Sequence, residues 1–202
     1  MAGVASVVLL TGPSGSGKTS LARRSGLPVL PLDDFYRDGD AAGMPRTAAG
    51  LIDWDNPRSW NAEAAVAALM HLSTRGWVEA PMYQIGLDRA VGTRRISLGG
   101  APAYVAEGIF AAEIVNECRE RGVLGDAICL RHHPMVTFWR RLVRDLREHR
   151  KPPHVLIHRG LRLLRDEPRI VARAAALGAT PCDGRTALAR IRAVADAATA
   201  AA

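Results

Sequence analysis

Short apolar segments alternate along the chain with segments of helical periodicity. An uninterrupted apolar run such as Val7–Leu10 is typical of a strand that is buried on both faces of a parallel sheet. The alternation of strands with helices favours a sheet that helices cover on both sides. The predicted strands are Ser6–Thr11, Pro28–Leu32, Tyr104–Ala106, Ala127–Leu130 and a short one near Ala179–Cys182. The predicted helices begin near Lys18, Ala62, Gly108, Met135, His154, Pro168 and Arg185.

The pattern changes between Trp77 and Leu98. Trp77–Tyr83 and Thr93–Leu98 resemble the two strands of a hairpin, so residues 77–98 are predicted to form an insertion that offers a place for a second substrate. No repeat or long linker interrupts the chain, and its 202 residues suit one domain with a sizeable core. We therefore predict a single domain over residues 1–202.

The clearest local motif lies between the first predicted strand and the first predicted helix. Gly12–Thr19 fits the pattern G-x-x-x-x-G-K-[ST] of phosphate-binding loops. In such a loop, backbone N–H groups point at the phosphates, the lysine fits between their oxygens and the threonine offers a hydroxyl to Mg²⁺. The predicted ATP-binding residues here are Gly12, Pro13, Ser14, Gly15, Ser16, Gly17, Lys18, Thr19 and Ser20.

The order of the elements around this motif decides between two interpretations. A Gly/Ser loop that binds nothing is the bland alternative, but strand, loop, Lys-Thr and helix arrive in the order that the motif requires. The predicted fold class is therefore α/β, a P-loop NTPase fold with three α/β/α layers and a parallel central sheet.

Charge and cysteine content narrow the possible partners. The net charge is +7, and the chain has only two lysines, Lys18 and Lys151. The charge suits either nucleic acid or polyanionic phosphates, but the few aromatic residues show no stacking pattern among the basic ones, so we expect no nucleic-acid partner. The three cysteines lack metal-ligand spacing and are predicted to be buried, reduced thiols. No apolar segment approaches the length of a membrane span, and we expect a soluble, cytoplasmic protein.

Acidic residues follow two of the predicted strands, at the edge where ligands of open parallel sheets bind. Asp33 and Asp34 come after the second strand, where at least one could accept a hydroxyl proton or hold a metal-bound water. Their alternative role is to cap a turn. Glu107 ends the strand Tyr104–Ala106 and could hold Mg²⁺ through water, the alternative being an ordinary acid at a strand end.

A basic helical segment is predicted over residues 139–151. Arg140, Arg144, Arg147 and Lys151 share one helical face, whose single sign of charge costs repulsion unless an anion neutralises it. We expect a cationic lid at about 135–153 that closes over ATP phosphates, and Lys151 to be part of it. A solvated charged face is the alternative.

Two further groups are less decisive. Asp53–Pro57 is a polar turn around Trp54 that could bind a polyhydroxylated acceptor or equally be a surface loop. His154 and His158 are four residues apart on a predicted helix, but without a third ligand nearby we interpret them as a packed or solvated face.

Taken together, these motifs resemble the uridine kinase family, within the group that also holds phosphoribulokinase and bacterial pantothenate kinase. Besides the phosphate loop, the resemblance is carried by Asp33–Tyr36, Asp55–Pro57, Pro81–Tyr83, Glu107–Gly108 and Arg140–Asp145. It implies that Asp33 is the catalytic base and that Asp55 holds ribose hydroxyls. It also implies that Tyr36 and Tyr83 lie at the acceptor site, and that Arg141 and Arg144 serve the ATP phosphates.

The departures from the family pattern concern the acceptor. Asn56 replaces the family's histidine, Gln84 follows Tyr83 where aspartate is usual, and Asp88 stands where nucleoside-specific members tend to have a base-reading histidine. Arg89 keeps the basic position that follows.

The expected function is an ATP- and Mg²⁺-dependent kinase of a primary hydroxyl, in the first place the 5′-OH of uridine or cytidine. Asp33 would deprotonate this hydroxyl, Lys18 would hold the phosphates, and Thr19 with Glu107 or Asp33 would hold Mg²⁺. The alternatives are a kinase of another small hydroxyl compound, such as a sugar phosphate, pantothenate or a different nucleoside, a non-catalytic nucleotide-binding regulator, and a nucleic-acid-stimulated ATPase. The sequence leaves the oligomeric state open.

Overall fold

A parallel sheet forms the centre of the protein. The computed structural model describes residues 4–131 and 167–201, and in these ranges five parallel strands pair in the order β2-β5-β1-β6-β7, while β3 and β4 form a separate antiparallel hairpin. The strands are β1 Ser6–Thr11, β2 Val29–Pro31, β3 Trp77–Gln84, β4 Arg89–Ser97, β5 Ala103–Glu107, β6 Leu124–Leu130 and β7 Thr180–Cys182. The helices are α1 Lys18–Arg24, α2 Ala62–Arg75, α3 Val115–Glu120, α4 over residues 167–176 and α5 Gly184–Ala200.

Helices cover both faces of the sheet, as the alternation of elements predicts. Val7 and Leu9 of β1 pack in one apolar cluster with α2, α3 and α4. Val8 and Leu10 pack in the other with α1 and α5. All four side chains are buried because successive residues of a strand point to opposite faces. The predicted α/β/α fold and the predicted central strand are thus confirmed.

Local signals explain where the longer helices begin and end. The Asn61 side chain accepts a hydrogen bond from the Ala64 N–H at 3.0 Å and caps α2, and Gly76 ends this helix in the left-handed conformation. The Asp183 carboxylate accepts from the Arg185 and Thr186 N–H groups, so α5 begins at Gly184. The predicted starts at Ala62 and near Arg185 are therefore confirmed.

The predicted hairpin is also present, and its second strand is longer than the sequence indicated. β4 begins at Arg89 rather than at Thr93. Val78 and Ala80 of β3 are buried against the domain, whereas β4 is exposed over nearly its whole length. The pairing register shifts between Pro81 and Tyr83, which is the mark of a bulge.

One predicted helix start is wrong. No α-helix begins at Gly108, because the Ala111 N–H donates to the Gly108 carbonyl three residues before it, which closes a turn instead of an α-helical repeat. A 3-10 helix begins only at Ala111 and leads into α3. The helices predicted near Met135 and His154 lie outside the described residues, as does the proposed lid.

Three buried thiols lie in the described core. Burial raises the pKa of Cys118 and of Cys129 to about 11, and it also raises the pKa of Cys182. Cys129 and Cys182 belong to opposite apolar clusters of the sheet. Among the helices of residues 4–131 and 167–201, none combines the length and apolar character needed to cross a bilayer.

The buried hydroxyl of Tyr104 joins β5 to α2, since it donates to the Leu69 carbonyl at 3.0 Å and pairs with Ser73 Oγ at 2.9 Å. Tyr104→Phe removes the hydroxyl that bonds to the Leu69 carbonyl and to Ser73 Oγ, so we expect the free energy of unfolding in urea to fall by about 1–2 kcal/mol. Thr74→Ala, which removes an exposed hydroxyl from the same helix, should cost less than about 0.5 kcal/mol. Equal losses in the two variants would contradict this role of Tyr104.

Candidate active site

Three strand ends meet at one edge of the sheet. Glu107 at the end of β5 is in register with Leu10 of β1 and with Pro31 of β2, so the segments that follow these strands lie side by side. They enclose a cleft of about 290 Å³. Its lining residues are Ser14, Gly15, Gly17, Lys18, Thr19, Asp33, Glu107 and Ile109. The carboxyl edge predicted to hold the site therefore does bring the predicted residues together.

The loop after β1 depends on a glycine at its first position. Gly12 has φ +141°, and a Cβ there would lie 2.4 Å from the Leu130 carbonyl oxygen. Gly15 and Gly17 also have positive φ. Ser16 is fully buried, and its hydroxyl has no hydrogen-bond partner among the described residues. A buried hydroxyl without a partner costs free energy in the protein by itself.

Lys18 occupies the centre of this loop. Its ammonium donates to the carbonyl oxygens of Gly12 at 2.9 Å and Pro13 at 3.3 Å, and only 6% of the residue is exposed. A buried ammonium at the floor of a cleft is a strong point charge for an anion. The position therefore suits a group with several anionic oxygens, as the motif predicts.

Thr19 and Glu107 join the loop to β5. The Thr19 hydroxyl donates to Glu107 Oε1 at 2.7 Å. Burial raises the pKa of Glu107, while Lys18 and the Thr19 hydroxyl act in the opposite direction. Hydroxyl and carboxylate oxygens are the donors that Mg²⁺ prefers, and Asp33 adds a second carboxylate to the same cleft. The donor set therefore fits Mg²⁺.

Asp33 extends into this cleft from the 3-10 helix Leu32–Phe35. Its Oδ1 accepts from the Ile109 N–H at 3.1 Å, and the side chain remains solvent-exposed. This contact needs a glycine at 108, since a Cβ there would lie 2.9 Å from Asp33 Oδ1 and 2.8 Å from Leu32 Cβ. Asp33 is thus oriented by backbone, yet open to a ligand.

Asp34 has a different role from Asp33, the acid that the family resemblance singled out as the base. Its Oδ2 accepts from Arg94 at 2.5 Å, and its Oδ1 accepts from the Tyr83 N–H at 3.3 Å. Burial raises the pKa of Asp34, and the Arg94 guanidinium counteracts this rise. Asp34 therefore holds the hairpin, whereas Asp33 lines the cleft.

An aromatic cluster adjoins the cleft through Asp33–Tyr36 and Ile109–Phe110. The Tyr36 ring centroid lies 5.6 Å from that of Trp54, 5.7 Å from that of Tyr83 and 5.9 Å from that of Phe110. The Tyr36 hydroxyl donates to the Trp54 carbonyl at 3.2 Å. Trp54 is half-buried and packs against the rings of Tyr36 and Tyr83, so its loop contacts the aromatic cluster.

The other residues that the sequence predicts to bind the acceptor lie around this cluster. Asp55 is exposed, and its charge helps to raise the pKa of Tyr36, after burial and Asp33. Asp88 has φ +51° in the hairpin turn and, after burial, is the largest contributor to the raised pKa of Tyr83, about 12. Arg89 begins β4 and is exposed.

Asn56, one of the departures from the family pattern, has a local structural role. Its side chain accepts from the Arg58 N–H at 3.0 Å and caps the 3-10 helix Pro57–Ser59.

Sequence reasoning missed several residues of the site. Phe110 joins the aromatic cluster, Arg94 binds Asp34, and Asp38 accepts from the Ala90 N–H at 2.9 Å. The two hairpin contacts join residues more than 50 positions apart, which no local motif signals. Phe110 could have been inferred from its place just after Glu107–Gly108. Arg141, Arg144 and Lys151 lie outside the described residues and stay predictions.

The comparisons with known proteins agree with these motifs. The chain is 31% identical over 144 residues to a protein of Schizosaccharomyces pombe named uridine kinase, covering 68% of this chain and 31% of that protein. It is 26% identical over 149 residues to a Chlamydia pneumoniae protein of the same name, covering 70% of this chain and 64% of that protein. No protein-family model matches the chain.

The chain is a homologue of proteins named uridine kinase. The chain spans less than two thirds of the length of either relative. A solved structure of a proposed fructose transport system kinase from Silicibacter sp. TM1040 shares the fold, with a TM-score of 0.61, 20% identity and coverage of 84% of this chain and 85% of that one. The homology supports a P-loop kinase, and the solved structure agrees with it in fold.

Gly12→Ala should disrupt the loop, because its methyl group overlaps the Leu130 carbonyl. We expect the affinity for a fluorescent ATP analogue to fall by more than about tenfold, which corresponds to a loss of 1.4 kcal/mol. Gly26→Ala is the matched control, since Gly26 also has positive φ but a Cβ there meets nothing within 4 Å. Equal binding by both variants would show that the close approach at Gly12 is unimportant.

Glu107→Gln should make stability less sensitive to pH. Because burial raises the pKa of Glu107, the carboxyl group favours the folded state only while it is protonated, and this benefit is lost as the pH rises above 4.5. We therefore expect the variant to gain stability relative to the wild type as the pH rises above 4.5 in urea unfolding. Glu120→Gln at the exposed end of α3 should change stability by less than about 0.5 kcal/mol throughout. A constant offset for Glu107→Gln would contradict the prediction.

Proposed function

We propose that this chain is an ATP- and Mg²⁺-dependent kinase that phosphorylates a primary hydroxyl, in the first place the 5′-OH of uridine or cytidine. The observation that carries the proposal is the shared cleft of Lys18, Thr19, Asp33 and Glu107. A phosphate-binding ammonium, Mg²⁺ ligands and an exposed carboxylate are the parts that phosphoryl transfer requires. The homology to proteins named uridine kinase supports the same choice.

Each residue has a definable task in the transfer. Asp33 takes the proton of the acceptor hydroxyl, whose oxygen bonds to the γ-phosphorus as the bond to the β–γ bridging oxygen breaks and ADP leaves. Lys18 and the loop N–H groups hold the β- and γ-phosphates. Thr19, with Glu107 or with Asp33 through water, would hold Mg²⁺, which would offset the charge of the phosphate oxygens. Arg141, Arg144 and Lys151, which lie outside the described residues, are the cations predicted to serve the transferring group.

The charges around the aromatic cluster favour an uncharged acceptor. Within residues 4–131 and 167–201, the charged side chains that shift the pKa of Tyr36 and Tyr83 are four carboxylates, and no cation lowers either pKa. They are Asp33, Asp38, Asp55 and Asp88. Carboxylates accept hydrogen bonds from sugar hydroxyls but repel phosphate and carboxylate groups. This surrounding supports a nucleoside or free sugar over a sugar phosphate or pantothenate.

The acceptor base is the finer part of the proposal. Asp88 is exposed in the hairpin turn, where it can accept from an amino or imino group of a base. The Asn56 side-chain oxygen already accepts a hydrogen bond from the Arg58 N–H within its own turn. Asp88 and Asn56 depart from the family pattern, and they motivate a second candidate, a kinase of another uncharged polyol. Such an enzyme would not need these two residues to recognise a pyrimidine.

An acceptor panel tests the proposal. The protein is mixed with Mg-ATP and with uridine, cytidine, other nucleosides, free sugars, a sugar phosphate or pantothenate, and products are identified by mass. We expect one phosphoryl group to be added to uridine or cytidine. Transfer to a free sugar alone would favour the second candidate, and ATP binding without transfer to any acceptor would favour a non-catalytic regulator.

Asp33→Asn should abolish turnover and spare nucleotide binding, because the amide cannot take the proton but can still accept from the Ile109 N–H. We expect kcat to fall by at least about 100-fold, the usual share of a general base. The affinity for an ATP analogue should stay within about twofold, a difference below 0.5 kcal/mol. Asp40→Asn, at an exposed position nearby in sequence, is the control. Normal turnover by Asp33→Asn would show that another group is the base.

A further inference from the structure

Asp34 holds both strands of the hairpin at once. Its Oδ1 accepts from the Tyr83 N–H on β3, and its Oδ2 accepts from the Arg94 guanidinium on β4. The Asp34 side chain is 18% exposed and that of Arg94 is 44% exposed. A partly buried, charge-assisted pair holds its geometry better than a fully solvated one.

The bulge in β3 makes this contact available. Pro81 pairs with Thr93 and Tyr83 pairs with Ala90, so the register changes by one residue between Pro81 and Tyr83. A bulge leaves a residue outside the regular ladder of hydrogen bonds and turns the strand locally. Tyr83 thereby directs its N–H to Asp34 and its ring to Tyr36.

The segment after Asp34 follows the hairpin for several residues. The Tyr83 hydroxyl donates to the Arg37 carbonyl at 3.3 Å, and the Ala90 N–H donates to Asp38 at 2.9 Å. The Gly39 N–H then donates to the Asp88 carbonyl at 2.7 Å. The hairpin and residues 34–39 are thus bound along their length, but only Asp34 is adjacent to the cleft residue Asp33.

We propose that the Asp34–Arg94 pair is a positioning device that sets the place of the acceptor hairpin relative to the Asp33 carboxylate. The inference rests on the proposed kinase function, in which Tyr83 contacts the acceptor and Asp33 takes its proton. Asp33 is fixed from the other side by the Ile109 N–H. The pair therefore links the acceptor side of the site to the reacting side through two adjacent residues.

Arg95 offers a matched control for Arg94. It is the next residue of β4, is also exposed, and carries the same charge, but it lies over the Trp77 ring with 4.1 Å between its Cζ and the ring centroid. Arg94→Gln and Arg95→Gln therefore remove the same charge from the same strand. Of the two, only Arg94→Gln breaks the contact with Asp34.

The test compares steady-state kinetics of these variants with the best acceptor of the panel. We expect Arg94→Gln to raise the acceptor KM and to lower kcat/KM by about 10- to 100-fold, as misplacement of a reacting group does. Binding of an ATP analogue and activity of Arg95→Gln should stay within about twofold of the wild type. Arg94→Lys should recover most of the lost kcat/KM, because a single side-chain nitrogen at this position can donate to Asp34 Oδ2. Because both substitutions break the same contact, kcat/KM of the double variant Asp34→Asn/Arg94→Gln should lie within about twofold of that of the poorer single variant.

Amide hydrogen exchange separates this proposal from the proposed function. The Tyr83 N–H should exchange faster in Arg94→Gln and in Asp34→Ala than in Arg95→Gln, whether or not any acceptor is phosphorylated. Failure of the wild type to phosphorylate any acceptor would refute the kinase assignment alone. Equal kcat/KM and equal Tyr83 exchange in Arg94→Gln and Arg95→Gln, measured per folded protein, would overturn the positioning role.

Discussion

The parallel register at Glu107 is the constraint on which the site depends. Because this residue pairs with Leu10 on one side and with Pro31 on the other, β1, β2 and β5 end at the same level. The loops that follow then lie close enough for Thr19 to bond to Glu107 and for Asp33 to bond to the Ile109 N–H. Three segments distant in sequence become one cleft through backbone pairing alone.

The cleft illustrates how a site can oppose the stability of its fold. Burial disfavours the charged form of Glu107, and Ser16 keeps a buried hydroxyl without a partner in the described residues. Both features cost free energy in the protein by itself. In the proposed kinase, a cation bound to the Glu107 carboxylate and phosphate oxygens bound to the loop would offset these costs, which is the usual exchange of stability for activity.

The sequence predicted the parts of the site that local chemistry fixes. The phosphate loop needs particular residues at adjacent positions, and Glu107 and Asp33 each follow a recognisable apolar strand. Residue types alone left Asp33 and Asp34 equivalent, and only the family resemblance singled out Asp33. The contact that separates them involves Arg94, 60 positions further along the chain. The predicted helix start at Gly108 was wrong because residues 108–111 form a turn closed by the Ala111 N–H and the Gly108 carbonyl.

The three core thiols have a practical consequence for studies of this molecule. Cys118 and Cys129 are held as unreactive thiols by burial, and Cys129 and Cys182 face opposite sides of the sheet, so the folded chain does not offer these two as a bonding pair. A thiol-directed reagent should therefore modify these core positions only in molecules that have opened. The rate at which these thiols are labelled then reports how often the sheet opens.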